Sequence, residues 1–270
     1  MIRAGEIQAV AAKLGVRDTQ IEKDYVISWV LYGIANNDFL VTHLVFKGGT
    51  VLKKAYFPDY RFSEDMDFTF IKGDFDITKI KNAVETLIEW VYDESRIRLA
   101  IQDETQHETG NYNFYLSYIG SLGSKGENKS IKVDISCDEL VYYPVEKRVI
   151  INTYSDLTSE YGVHCYSLDE SIAEKMRSLM QRTAPRDLYD LWYLFAVEEM
   201  NIEDCIFAFQ EKTIYKKLNP KELVKTILLK EKIFSRLWTD HLIHQVKELP
   251  EFKDVWRELG KHWRKFEKFI

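Results

Sequence analysis

The sequence is poor in cysteine and has no cysteine pair spaced to bind a metal or form a redox centre. Its three cysteines, Cys137, Cys165 and Cys205, lie far apart and form no CxxC pattern. An odd number of scattered thiols argues against a disulfide framework. We therefore expect reduced, mostly buried thiols and a cytoplasmic protein.

Long apolar runs are also missing. No segment approaches the roughly 18 consecutive apolar residues that indicate a membrane-spanning helix. The N-terminus carries no apolar stretch of signal-peptide length, and no internal repeat or low-complexity tract is present. The sequence therefore predicts a protein without a membrane partner.

An excess of positive charge is lacking as well. The chain has 43 acidic and 37 basic residues and a net charge of −6, which argues against a protein that coats nucleic acid over its whole surface. Residues 201–270 are locally basic and could either contact RNA phosphates or form an ordinary solvated helical surface. With 270 residues, the chain is long enough for one large domain or two small ones.

Hydrophobic periodicity predicts helices and strands in an α+β order. The predicted strands are 41–46, 65–70, 96–102, 112–119, 130–137 and 146–152. The predicted helices lie within 1–40 and at 50–56, 77–92, 169–181, 186–199, 203–216, 220–236 and 250–268. A mixed β-sheet core with flanking helices, followed by a helical region, fits this order. We predict one α+β domain over 1–165 and a helical domain over 166–270.

The richest chemistry lies in the predicted strand at 65–70. Asp65 and Asp67 alternate there with Met66 and Phe68, so the two carboxylates project from one face of the strand. Like charges this close repel unless a cation neutralises them. Mg²⁺ suits the pair because it prefers carboxylate oxygens and keeps coordination positions for phosphate oxygens.

A Gly-Gly turn precedes this strand. Without Cβ atoms, Gly48 and Gly49 allow a triphosphate to approach the backbone, and the following helix offers N–H groups to phosphate oxygens. We expect the hydroxyls of Thr50 and Ser63 to assist. The predicted nucleotide-binding residues are Lys47, Gly48, Gly49, Thr50, Ser63 and Arg186.

Asp134 is the candidate for a third carboxylate. In the predicted strand at 130–137 it lies on the polar face with Lys132 and Ser136. If this strand is a neighbour of 65–70, Asp134 faces the same cleft and completes a set suited to two-metal phosphoryl transfer. The alternative is an outward residue on an amphipathic strand.

The helical region supplies further candidates. Lys175 lies beside an apolar stripe, where it either contacts the triphosphate or extends to water. Arg186 and Asp187 lie in the first turn of a predicted helix, where they could orient the site. The alternative is that Asp187 and Asp190 only complement the positive end of the helix dipole at its N-terminus.

Four segments of the sequence resemble the AbiEii/AbiGii toxin family of bacterial nucleotidyltransferase-like proteins. They are Glu22-Lys23-Asp24-Tyr25, Phe46-Lys47-Gly48-Gly49-Thr50, Arg61-Phe62-Ser63-Glu64-Asp65-Met66-Asp67-Phe68 and Arg186-Asp187-Leu188-Tyr189-Asp190-Leu191. The resemblance covers roughly residues 20–195. It implies a nucleotidyltransferase fold with a helical C-terminal region.

The resemblance also implies roles for individual residues. Asp65 and Asp67 correspond to metal ligands, Ser63 and Lys175 to nucleotide contacts, and Asp187 to a member of the site. It further implies Mg²⁺ as cofactor, an NTP as donor, and a toxin of a toxin–antitoxin or phage-defence pair with a cognate antitoxin. The acceptor end of tRNA is a substrate of some relatives.

Three functions are compatible with these motifs. The leading hypothesis is an Mg²⁺-dependent nucleotidyltransferase with Asp65, Asp67, Asp134, Lys175 and Asp187 as catalytic residues. A non-catalytic protein that binds a nucleotide, an RNA or a partner is the second. The third is a glycosyltransferase that holds a metal and a nucleotide diphosphate through its Asp-x-Asp. The Gly-Gly turn upstream of the carboxylates favours the nucleotidyltransferase.

Overall fold

A computed structural model of the chain describes residues 1–107, 110–123 and 129–270. The chain folds into two compact units: Met1–Glu139 with Val145–Cys165, and Leu140–Pro144 with Tyr166–Ile270. The division into domains at 1–165 and 166–270 stays a prediction, because compact units of one chain need not fold independently. Within the described ranges, no helix is long and apolar enough to cross a membrane.

The first unit contains a seven-stranded sheet. Its strands are β1 (Leu44–Lys47), β2 (Asp65–Phe70), β3 (Arg98–Gln106), β4 (Tyr112–Ile119), β5 (Ser130–Ser136), β6 (Glu146–Val149) and β7 (Gly162–Cys165). The order across the sheet is β3-β4-β5-β2-β1-β7-β6. The β2–β5 and β1–β7 pairs are parallel and the others antiparallel, so the predicted mixed sheet is confirmed.

Helices cover one face of this sheet. The helices of the unit are α1 (Ala4–Leu14), α2 (Asp18–Ala35), α3 (Asp38–His43), α4 (Gly48–Val51), which Leu52–Tyr56 continues as a π-helix, and α5 (Ile77–Ser95). Apolar side chains of β2, β4 and β5 line a common apolar space with side chains of α2 and α5, among them Phe68, Phe114, Val133, Val30 and Leu87. The core of the unit therefore lies between the sheet and these two helices.

The second unit is helical. It contains α6 (Leu168–Gln181), α7 (Pro185–Trp192), α8 (Ile206–Tyr215), α9 (Leu223–Leu229), α10 (Glu231–Leu242) and α11 (Phe252–Phe266). Short 3-10 turns precede α8 and α9, and a π-helix at Tyr193–Val197 extends α7. Helix α6 is central, since it packs against α7, α8 and α9.

A buried ion cluster joins Leu140–Pro144 to these helices. The ammonium of Lys212 lies 2.6 Å from Glu170 Oε1 and also donates to the main-chain oxygen of Leu140. The carboxylate of Glu170 accepts hydrogen bonds from the backbone N–H groups of Tyr142 and Tyr143. Because both Lys212 and Glu170 are buried, the pair is stable only while these partners are in place.

Two predicted elements differ in detail from the structure, and one short strand has no predicted counterpart. Residues 41–43 belong to helix α3, whose N-terminus is capped by the side chain of Asn37, so the predicted strand begins only at Leu44. The four-residue strand β7 was not predicted, because it is too short to show a periodic pattern. The predicted helix 220–236 is interrupted at Lys230, whose ammonium donates to main-chain oxygens at the end of α6, including that of Leu179 at 2.7 Å.

Candidate active site

The two carboxylates of β2 lie on the sheet face opposite the helices. Met66 and Phe68 are buried, whereas Asp65 and Asp67 are half-buried. This alternation follows from the period of two along a strand. The predicted common face of Asp65 and Asp67 is confirmed.

Strand β5 brings a third carboxylate to this face. It runs parallel to β2, and the register of the two strands pairs Asp67 with Asp134 and Asp65 with Lys132. Its apolar residues are buried and its polar residues half-buried. Paired residues of neighbouring strands project to the same side, so Asp134 lies beside Asp67. The register therefore brings Asp134 to the face that carries Asp65 and Asp67, and its role as a metal ligand stays a prediction.

The sequence predicts Lys132 on the polar face of this strand but indicates no part for it in the site. Its Nζ lies 2.7 Å from Asp134 Oδ2. Partial burial lowers the pKa of Lys132, but the hydrogen bond and charge of Asp134 and the charge of Asp65 outweigh it, so the pKa is raised. A lysine two residues from an aspartate on one strand face is the signal that would have identified this pair.

Gly48 and Gly49 leave space that neighbouring side chains of the same unit occupy. Gly48 has a φ of +82°, and a Cβ at this position would overlap with Asp67 Oδ2 and lie 3.0 Å from its Cγ. At Gly49, a Cβ would lie 2.7 Å from Arg61 Nη2 and 3.3 Å from Ser63 Oγ. Glycine is therefore required at position 48 both by the backbone conformation and by the carboxylate beside it.

Thr50 and Lys47 have partners within the unit. The Thr50 hydroxyl donates to the main-chain oxygen of Asp65, which ties α4 to β2. The buried Lys47 lies opposite Asp67 in the β1–β2 register, and its ammonium is 3.8 Å from Glu139 Oε1. Glu139 thus belongs to the surroundings of the site. Contacts of Lys47 and Thr50 with a nucleotide stay predictions.

One turn of α2 forms ion pairs with three segments that carry site residues. Glu22 contacts Lys129, which precedes β5, at 2.7 Å, and Lys23 contacts Glu64, which precedes β2, at 3.0 Å. The third pair joins Asp24 to Lys54, in the helix that begins at Gly48, at 2.6 Å. Each residue of Glu22-Lys23-Asp24 therefore forms an ion pair that anchors one of these segments. The spacing of the three residues in the sequence does not indicate these partners.

In the second unit, Lys175 and Asp187 lie together in a buried ion cluster. The Lys175 ammonium is 3.4 Å from Asp187 Oδ1 and forms a second ion pair with the buried Asp190. Arg182 donates to both oxygens of Asp187, at 2.7 and 3.1 Å. The alternative in which Lys175 extends to water is wrong, because its side chain is 6% exposed. The half-buried Arg186 lies in the first turn of α7, and its role stays a prediction.

The donor set fits a divalent cation of the magnesium type. Asp65 and Asp67 are hard oxygen donors on one face, and Gly48 leaves space around the carboxylate of Asp67. Across 1–107, 110–123 and 129–270, no three His, Cys, Asp or Glu side chains are grouped closely enough to hold a metal ion. Two carboxylates are sufficient for Mg²⁺ when substrate phosphates supply further ligands.

The sequence matches a known protein family. The model of the nucleotidyl transferase AbiEii toxin family, of type IV toxin–antitoxin systems, matches residues 29–264. The chain belongs to this family. It is therefore a toxin-family nucleotidyltransferase, and family membership implies a nucleotide substrate and a cognate antitoxin. The glycosyltransferase alternative is set aside.

The AbiEii match and the sequence resemblance differ in extent. The match continues to residue 264, well beyond the 195 expected from the motifs, and begins after the Glu22-Lys23-Asp24-Tyr25 segment. Helical regions carry few distinctive motifs, so residues 196–264 could not be assigned from short segments. No curated protein matches the sequence.

Solved structures share the fold of this chain. JHP933 from Helicobacter pylori is 20% identical, with a TM-score of 0.57 and coverage of 94% of each chain. MenT4, a nucleotidyltransferase toxin from Mycobacterium tuberculosis, is 17% identical, with a TM-score of 0.54 over 97% of this chain and 99% of its own. At these identities the similarity establishes the fold alone.

Proposed function

We propose that this AbiEii-family protein transfers a nucleoside monophosphate from an NTP to an RNA hydroxyl, with the acceptor end of tRNA as the favoured substrate. The observation that carries the proposal is the shared face of β2 and β5, where Asp134 pairs with Asp67 in the strand register and Asp67 lies against Gly48. We expect the protein to act in the cytoplasm, where both NTPs and tRNA are present, and an antitoxin or phage-defence context to regulate it.

The carboxylates provide the metal-binding part of the reaction. Asp65 and Asp67 would hold Mg²⁺, with Asp134 as the third ligand, and the bound ion would offset negative charge on the phosphates. We propose that Gly48, Gly49, Ser63 and the backbone N–H groups at the start of α4 bind phosphate oxygens.

The transfer itself is an in-line displacement. The acceptor oxygen forms a bond to the α-phosphorus, the bond from that phosphorus to the bridging oxygen breaks, and pyrophosphate leaves with the electron pair. We propose that Asp134 orients the attacking hydroxyl or accepts its proton. Lys175, Arg186 and Asp187 are proposed to contact the nucleotide or to orient the groups that do so.

The test is a transfer assay with Mg²⁺, total tRNA and each of four α-³²P-labelled NTPs. We expect label on tRNA with one NTP, and a loss of at least about a hundredfold in Asp67→Ala because a metal ligand is removed. Asp93→Ala, which removes an exposed carboxylate of α5, is the matched control and should retain full activity.

Each other outcome corrects the proposal. Label on the protein itself would keep nucleotidyl transfer but replace the RNA acceptor with a polypeptide. If folded protein labels neither, or if Asp67→Ala keeps its activity, the assignment of this face as the transfer site fails.

A further inference from the structure

The proposed site contains a cation of its own. Lys132 and Asp134 are two residues apart on β5 and project from the same face, with Nζ 2.7 Å from Oδ2. Their side chains are 35% and 28% exposed. Neither belongs to the buried core, so the pair is open to solvent and to ligands.

Lys132 is close to more than one acidic residue. The register of β2 and β5 places it directly opposite Asp65, while its hydrogen bond goes to Asp134. Its ammonium therefore lies on the face that carries the three carboxylates proposed to bind metal. A role limited to strand pairing would not require this position.

A lysine and a divalent cation compete for the same carboxylate. When Nζ is hydrogen-bonded to Asp134 Oδ2, the ammonium occupies a position that a metal ion bound to that oxygen would need. The positive charges of the ammonium and the metal ion also repel each other. The Lys132 side chain is flexible and half-exposed, and surface ion pairs of this kind are weak, so its withdrawal costs little. An NTP brings several negative phosphate oxygens that can accept the released ammonium.

We propose that Lys132 is a resident counter-ion that occupies Asp134 in the unloaded enzyme and transfers to a phosphate oxygen of the NTP when Asp134 joins the metal-binding carboxylates. The inference rests on the proposed function. Its consequence is that the third carboxylate becomes available only when the nucleotide arrives, so metal and substrate bind cooperatively.

Two readouts of opposite sign test this role. Mn²⁺, used as a spectroscopic probe without nucleotide, should bind Lys132→Met about tenfold more tightly than wild type, because a competing cation is gone. In the transfer assay the same variant should show a KM for the NTP raised about tenfold, because a phosphate contact is lost. A purely structural lysine would weaken both or change neither.

Three variants serve as controls. Lys147→Met, on the exposed side of strand β6, changes the net charge equally and should leave both readouts unchanged. Lys132→Arg keeps the cation and should restore a Mn²⁺ affinity close to that of wild type. In Asp134→Asn/Lys132→Met, the gain in Mn²⁺ affinity should disappear, because it depends on Asp134.

The failures of the two proposals are distinguishable. If wild type transfers nucleotide but Lys132→Met binds Mn²⁺ no more tightly, with an unchanged circular dichroism spectrum, the role of Lys132 is overturned and the proposed function stands. If wild type neither binds Mn²⁺ nor transfers nucleotide, both are overturned.

Discussion

Two lysine–aspartate pairs in the same unit have almost the same geometry and different surroundings. Lys54 Nζ lies 2.6 Å from Asp24 Oδ2, and Lys132 Nζ lies 2.7 Å from Asp134 Oδ2. The first pair is 4% and 6% exposed, and the second is 35% and 28% exposed. The distance between the charges therefore says little about what each pair does.

The partners around each pair explain the difference. Asp24 also accepts a hydrogen bond from the Tyr154 hydroxyl at 2.6 Å, and Lys54 donates to Ser28 at 2.9 Å. Burial would raise the pKa of Asp24, but the charges of Lys54 and Lys53 and the hydrogen bonds of Lys54 and Tyr154 hold it below its usual range. The buried pair is fully enclosed and holds the fold, whereas the open pair can exchange partners.

The largest effect is expected when the buried pair is broken. Lys54→Met leaves the charge of Asp24 buried without its counter-ion, which should lower the free energy of unfolding by about 3–5 kcal/mol. Urea unfolding followed by tryptophan fluorescence measures this. If Lys54→Met lowers the free energy of unfolding no more than Lys132→Met does, burial does not account for the difference between the two pairs.

The next effect concerns the glycine beside the open carboxylates. Gly48→Ala should reduce transfer about a hundredfold, close to 2.7 kcal/mol of activation free energy, because the new Cβ displaces the carboxylate of Asp67. Steady-state transfer rates give the comparison.

Gly15→Ala is its matched control, since Gly15 also has a positive φ (+68°) but no heavy atom within 4 Å of an added Cβ. Both variants should lose about 1–2 kcal/mol of stability from backbone strain, and Gly15→Ala should keep its activity. Equal losses of activity in Gly48→Ala and Gly15→Ala would contradict the explanation that a Cβ at position 48 displaces the carboxylate of Asp67.

A third effect is a pH dependence that belongs to the buried pair. The pKa of Asp24 is lower in the folded than in the unfolded chain, so its contribution to stability is complete above about pH 4 and is lost as the pH falls through the folded value. Urea midpoints of wild type should therefore approach those of Asp24→Asn as the pH is lowered from 6 to 3. A difference that stays constant over this range would contradict the assignment.

The smallest effect is expected at the open pair. Lys132→Met should change the free energy of unfolding by less than about 1 kcal/mol, because half-exposed ion pairs contribute little. The same urea titration measures it beside Lys54→Met. A loss of several kcal/mol would assign Lys132 to the fold and would weaken its proposed role as an exchangeable counter-ion.

Local periodicity predicted the elements that carry the site. Strand β2 has the predicted bounds, Asp65–Phe70, and helix α5 and strands β3 to β6 lie close to their predicted positions. The common face of Asp65 and Asp67 follows from the period of a strand and needs no tertiary information.

Several members of the ion clusters could not be predicted. Arg182 and Asp190 join Lys175 and Asp187 through contacts between α6 and α7, and Glu139 approaches Lys47 from a distant part of the chain. Such pairs depend on how elements pack, and charge patterns along the chain do not record the partner.

The sequence by itself determined which residues alternate on β2 and β5, where the glycines lie, and that the chain has the motifs of a nucleotidyltransferase, because these properties are local. Only the tertiary structure decided that β5 lies parallel to β2 and brings Asp134 beside Asp67, that Gly48 is required by the carboxylate of Asp67, and which lysine–aspartate pair is buried. The physical reason is that strand pairing and burial arise between segments far apart in sequence, where no local pattern specifies the register.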